Sequence, residues 1–200
     1  MTSRRTRWSG VGLAAAVLVF AFAMTGSAYG HCDSLNGPVV LAAQEALKTE
    51  DFSKVQIWVG EDQEAELKQV FEKSLHVREL GDQAKELADR YFFEIAVRLH
   101  RQAEGMPYTG LKPAGPMPAD IQAAEKALET GDSEVVTKLL VSQLQEQVDT
   151  WFKKALSARE DRDQSVEAGR EWVDSYVKYV VYVHRLYQTI QAGPAHGVGD

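Results

Sequence analysis

The residues best equipped for chemistry stand together near the N-terminus, at His31-Cys32-Asp33. What they can do depends on where the mature chain begins. Arg4, Arg5 and Arg7 precede an apolar run from Val11 to Met24, followed by Gly26, Ser27 and the small-residue pattern Ala28-Tyr29-Gly30. That order is the order of a cleaved secretory signal peptide. The apolar run is too short to span a bilayer comfortably, and Ala28 and Gly30 fall at the −3 and −1 positions. Cleavage after Gly30 gives His31 a free α-amine. The amine, the His31 ring, the Cys32 backbone nitrogen and the Cys32 thiolate can then reach one ion through small chelate rings. A nitrogen-rich set with one sulfur suits nickel(II) or copper(II), and a more open version, less favoured, can hold zinc(II). In the precursor the same nitrogen is a peptide amide, and the site does not exist.

The export reading places the protein in the periplasm or outside the cell. A lipoprotein anchor would need a small residue directly before Cys32, where His31 stands. Ser3-Arg4-Arg5 leaves the twin-arginine route open beside the general one, although Arg7 occupies a place where that signal prefers an apolar residue. Loss of three arginines takes the 22 basic residues to 19 against 29 acidic ones, and the net charge from −7 to −10. So acidic a chain has no reason to collect on nucleic acid, and no membrane span remains after cleavage. With a single cysteine, no internal disulfide can form. No Gly-rich phosphate loop, nucleophile elbow or Cys-x-x-Cys pair is present.

The elements that must position the hook are helical. At 200 residues with 44% apolar and 26% charged residues, the chain can bury a core unaided, and its apolar spacing is three and four nearly throughout. Asn36-Gly37-Pro38 reads as a turn into a helix that runs to about Thr49, with Pro38 at its first position. Phe52 to Val59 holds one or two helical turns. Two longer helices follow, Gln63 to Glu79 and Asp82 to Glu104, interrupted at Gly81. Residues 105–118 carry four of the six prolines together with Gly105, Gly110 and Gly115, and form a linker.

Beyond the linker the pattern recurs at an offset of 81. Ala43-Gln44-Glu45-Ala46-Leu47-Lys48-Thr49-Glu50-Asp51 aligns with Ala124-Glu125-Lys126-Ala127-Leu128-Glu129-Thr130-Gly131-Asp132, and Phe71 to Glu79 aligns with Phe152 to Glu160. After a three-residue insertion, His100-Arg101 falls on His184-Arg185. The expected organisation is a signal peptide at 1–30, a helical domain at 31–192 with repeats at about 38–104 and 119–191, and a disordered tail at 193–200. The expected fold is an all-α bundle of two pseudo-symmetric repeats that together bury what neither could bury alone.

On a helical wheel, Asp82 to Glu104 shows one stripe of Leu87, Ala88, Tyr91, Phe92, Ile95 and Leu99, and a second of Phe93, Val97, His100 and Glu104. A helix apolar on two sides is a central helix. The matching stripe in the second half is Val177, Val181, His184 and Gln188. His100 and Glu104 are four apart on one face, a workable ligand pair, and His184 is the repeat equivalent of His100. The bland alternative is that both histidines are core residues bonded to a neighbouring helix. His76, among Lys73, Arg78 and Glu79, reads as solvated, and His196 sits in the tail. Trp172, Tyr176, Tyr179, Tyr182 and Tyr187 read as packing or interface residues rather than a redox cluster. Pro107-Tyr108-Thr109-Gly110 reads equally as a lid or as a rigid connection.

His31-Cys32-Asp33 followed by Gly37 resembles the mature N-terminal hook of nickel superoxide dismutase, which sits on a helical bundle. The resemblance covers about seven residues. In that enzyme a second cysteine precedes the glycine, and here Asn36 holds that place. More of the chain, His31 to Val40 and Arg98 to Pro113, is similar to an uncharacterised bacterial family of exported helical proteins. That resemblance implies export and a helical fold and leaves activity open.

Three functions are consistent with these residues. The first is an exported protein that binds a transition metal through His31-Cys32, with His100, His184 or Glu104 completing the site, in envelope metal handling or sensing. The second is a helical interaction module without metal, paired with itself or with an envelope protein. The third is a dismutase-like metalloenzyme, which Asn36 disfavours because it removes the second thiolate that would tune the metal.

Overall fold

The computed structural model describes residues 31–194 and 196–198, and among these the chain is all-α. The expected signal peptide, residues 1–30, lies outside them. Seven helices follow in order: α1 (Pro38–Thr49), α2 (Ser53–Gln56), α3 (Glu61–Arg78), α4 (Asp82–Ala103), α5 (Ala119–Thr130), α6 (Glu134–Glu160) and α7 (Val166–Ala192). None is long and apolar enough to cross a membrane. Residues 193–194 and 196–198 follow α7 without helix.

The first half is closed. α1 and α3 both lie against α4, and α2 bridges α1 to α3. Val39, Val40, Ala43, Leu47, Leu67, Phe92, Ala96, Val97 and Leu99 make one core in which Phe71 stands between Phe52 and Phe92. α4 is the central helix, as its two-sided apolar pattern predicts, but the buried set differs. Leu87 is 71% exposed and Tyr91 48%, while Ala96 and Ala103 are buried. The helix turns its small residues inward where α1 and α3 approach closely, and leaves two large ones at the rim.

Locally, the second half begins as the first does. α1 ends at Glu50 with φ 56°, and α5 at Gly131 with φ 70°, both left-handed. Asp51 N donates to Ala46 O at 3.1 Å and Asp132 N to Ala127 O at 3.2 Å. The aspartate then accepts from the first residue of the next helix, Ser53 N at 3.0 Å and Glu134 N at 2.8 Å. A left-handed residue with a returning amide is a common helix stop.

The halves then part. In the first, the chain breaks between α2 and α3 at Gly60, whose extended backbone (φ −78°, ψ 165°) leads into α3. At the equivalent place stands Val141, and α6 runs straight through for 27 residues. α5 lies along α6, and α7 pairs with α6 in a long hairpin. α7 has no buried residue. The expected second central helix is therefore absent from the described chain, because without the break α5 is not turned back onto α7 as α1 is onto α4.

Candidate functional site

The hook folds onto the C-terminal end of α4. Its turn is tight: Gly37 N donates to Ser34 O at 2.8 Å, and Ser34 Oγ donates to His31 O at 3.0 Å. A Cβ on Gly37 would sit 2.0 Å from His31 O, so no other residue fits without moving the turn. The linker straps the hook from outside. Leu35 N donates to Lys112 O at 3.0 Å, and Lys112 N to Asp33 O at 2.8 Å. Asn36 grips Gly115 with both amide atoms, its Nδ2 donating to Gly115 O at 3.0 Å and its Oδ1 accepting from Gly115 N at 3.3 Å. Residues 111–115 thus act as a fixed connection. Asn36 has a structural bond where the dismutase hook has a thiolate.

Beneath the hook lies an ion-pair triad. Arg101 Nε donates to Asp33 Oδ1 at 2.6 Å, with side chains 4% and 5% exposed, and Arg101 Nη1 donates to Glu104 Oε2 at 2.9 Å. Burial alone would lower the Arg101 pKa, but the bonds and charges of Asp33 and Glu104 hold it above its ordinary range. Cys32 is half-buried against the core. Burial pushes its thiol pKa up; Arg101 opposes that rise, and Glu104, Asp33 and Glu125 add to it.

The two histidines of this end have assignable ring nitrogens. His100 Nδ1 lies 2.7 Å from Trp58 O, and since a carbonyl only accepts, Nδ1 carries the proton. In the neutral ring Nε2 then keeps its lone pair. It is buried, has no hydrogen-bond partner, and lies 3.5 Å from Glu104 Oε1. His31 Nε2 lies 2.7 Å from Glu125 Oε1, reached from α5. An ionised carboxylate accepts only, so Nε2 donates and Nδ1 is the open nitrogen of the neutral ring. Beside His31 an open groove of about 280 Å³, lined by Ser34, Asn36, Lys112 and Gly115 among others, gives access from solvent.

Of the five residues with ligand chemistry in the sequence, His31, Cys32, His100 and Glu104 come to this end of the bundle. His184 does not: it is exposed on α7, because the second half never closes over it. Among the described residues, no three His, Cys, Asp or Glu side chains converge closely enough to cage a metal ion. A chelate at the hook does not need such a cage, since two of its four donors are main-chain nitrogens. His76 stands apart, its Nδ1 bonded to Glu72 O at 2.8 Å. Sequence reasoning missed Glu125, Arg101 and Trp58, and it read Asp33 as part of the hook without its buried partner. Only Asp33, adjacent to Cys32, carried a local signal.

The fold and this end define an all-α protein with an N-terminal hook strapped over a buried ion pair. The chain belongs to a family of unknown function (DUF6448), whose profile matches residues 36–182. No curated protein and no solved structure matches it.

Proposed function

We propose that the exported, mature protein binds nickel(II) or copper(II) at its hook, in envelope metal handling or sensing. The donors are the His31 amine, His31 Nδ1, the Cys32 backbone nitrogen and the Cys32 thiolate. The carrying observation is the 2.7 Å contact of Glu125 on His31 Nε2. A carboxylate on the outer ring nitrogen fixes the tautomer that leaves Nδ1 free, and Nδ1 is the nitrogen that closes a six-membered ring with the amine. Such outer partners are a recurrent companion of metal-bound histidine. The unpartnered Nε2 of His100 and the Glu104 carboxylate are the α4 groups able to add a further donor. Arg101 already neutralises Asp33, which disfavours Asp33 as a ligand. Asn36, engaged on both amide atoms, favours binding over dismutation.

Binding must displace the amine proton, with a reference pKa near 8, and a thiol proton held more firmly than usual by burial. Affinity therefore rises with pH through the neutral range and keeps rising beyond the ordinary thiol range. Titration of the mature protein with Ni(II) or Cu(II) tests the reading. An extra residue before His31, and Cys32→Ser, should each abolish most of the binding. Glu125→Ala should weaken it about 10-fold or more, while His76→Ala leaves it unchanged. Equal binding by all four variants would remove the site.

A second reading, partner binding, is supported by a separate observation: the outward stripe of α7 is apolar and uncovered, with Tyr176 48% and Tyr187 62% exposed.

A further inference from the structure

The α6–α7 hairpin has an inner and an outer side. Inside, Trp151 packs tilted against Tyr182 with centroids 6.2 Å apart, and Phe152 against Tyr179 at 5.7 Å. Outside, Val173, Tyr176, Val180, Val183 and Tyr187 recur at helical spacing, each 38% exposed or more. A stripe of this kind faces a core in a stable fold.

The first half shows what covers such a stripe. With the three-residue insertion, Phe92, Ala96, Leu99 and Ala103 of α4 fall on Tyr176, Val180, Val183 and Tyr187 of α7. The former are at most 9% exposed, and the latter 38% or more. On α4 the cover includes α1, whose Leu47 is 2% exposed; the matching residue of α5, Leu128, is 86% exposed. Helix and face are thus both present in the second half and are not joined. Their separation traces to the unbroken α6, about 40 Å long. α5 lies along the front of that helix, beside Val135 and Leu139.

With nominal areas of about 150–230 Å² per residue, the exposed fractions of the α7 stripe and Leu128 leave roughly 500–750 Å² of apolar-residue surface open per chain. A monomer's largest patch is about 300–600 Å². A specific dimer buries about 800 Å² on each partner. The open surface therefore stands at the upper end of what one chain carries alone and approaches what a second copy needs.

We propose that two copies of this chain exchange α5: the α5 of each, carried on the front of its straight α6, covers the α7 stripe of the other as α1 covers α4. Exchange of an identical element is a low-cost route to a dimer. The hinge here is Lys138 to Val141, opposite the Ile57 to Gly60 break of the first half. The two-fold result closes, with the outer stripe of each α7 covered.

Light scattering on the full mature chain, from about 1 to 100 µM, tests the exchange. The expected result is a dimer that Tyr176→Lys with Val180→Lys turns into a folded monomer. Val141→Pro, which restores a break in α6, should also give a monomer, in which α5 closes on its own α7 and apolar-dye fluorescence stays low. A parent monomer at 100 µM would overturn the proposal. So would a Val141→Pro variant that remains a dimer, since hairpins joined face to face need no hinge. The metal reading is tested apart from this one by Ni(II) titration of the Tyr176→Lys, Val180→Lys variant, whose substitutions lie on α7 and leave the hook and Glu125 as they are.

Discussion

Asp33 and Arg101 form the most consequential pair in the first half, because both are buried and each neutralises the other. Removing one partner of such a pair costs about 3–5 kcal/mol, whereas replacing both by apolar residues of like volume is often neutral. Asp33→Ala should therefore lower stability to denaturant by about 3 kcal/mol. Asp33→Leu combined with Arg101→Met and Glu104→Gln, which removes all three charges of the triad, should recover most of that loss, and its failure to do so would show that these side chains act through their other contacts. Cys32 adds a pH dependence. Its folded thiol pKa is raised by burial above the ordinary value of 9.0, so its contribution to stability is complete below that value and is lost as pH rises past it. Cys32→Ser should remove that alkaline loss, measured as a flatter dependence of unfolding free energy on pH above about 9. The ligand types at the hook were legible from residue chemistry alone. Glu125 was not, because it meets His31 across 94 residues of chain and no local pattern reports such a contact. Arg101 was not either, since a charged residue on a helix reads as solvated until the fold buries it.

At the scale of elements, helix ends were legible where the backbone itself sets them. Pro38, Gly81 and the linker prolines mark starts and stops by removing a donor or admitting a rare conformation. What spacing could not report was whether α6 breaks. Gly60 and Val141 occupy equivalent positions, and both sequences around them are compatible with a helix; Gly60 turns extended beside Ala103 of α4, a tertiary contact that spacing does not report. The hook turn carries a sharper expectation. Gly37→Ala would put a methyl group 2.0 Å from His31 O, so the turn must open and the His31 ring must leave Glu125. Metal affinity of that variant should fall by about 10-fold or more, while its helical circular dichroism stays that of the parent. Unchanged affinity would mean that the ring position does not matter to binding. Leu47→Ala, inside the closed half, should cost about 2–5 kcal/mol in denaturant unfolding, as buried leucines do.

The whole molecule joins a half with its own core to a half that lacks one, and the two should open differently. Amide exchange follows local stability, and α1, α3 and α4 share a core in which most large side chains are under 5% exposed. Their protection depends on that core and not on concentration. The outer stripe of α7 is open in the single chain, so its amides are guarded only by the hairpin with α6. If α5 of a second copy covers it, mass action adds about 2.7 kcal/mol at a concentration near 100 times Kd. Amides that open through the dissociated chain should then exchange roughly 100-fold more slowly than in dilute protein. Hydrogen exchange read by mass spectrometry at two concentrations separates the halves: peptides from Val173 to Ile190 should slow with concentration, while those from Pro38 to Thr49 stay constant. Equal behaviour of both sets would mean that the second half is held as firmly within one chain as the first, and the exchange of α5 would fall with it.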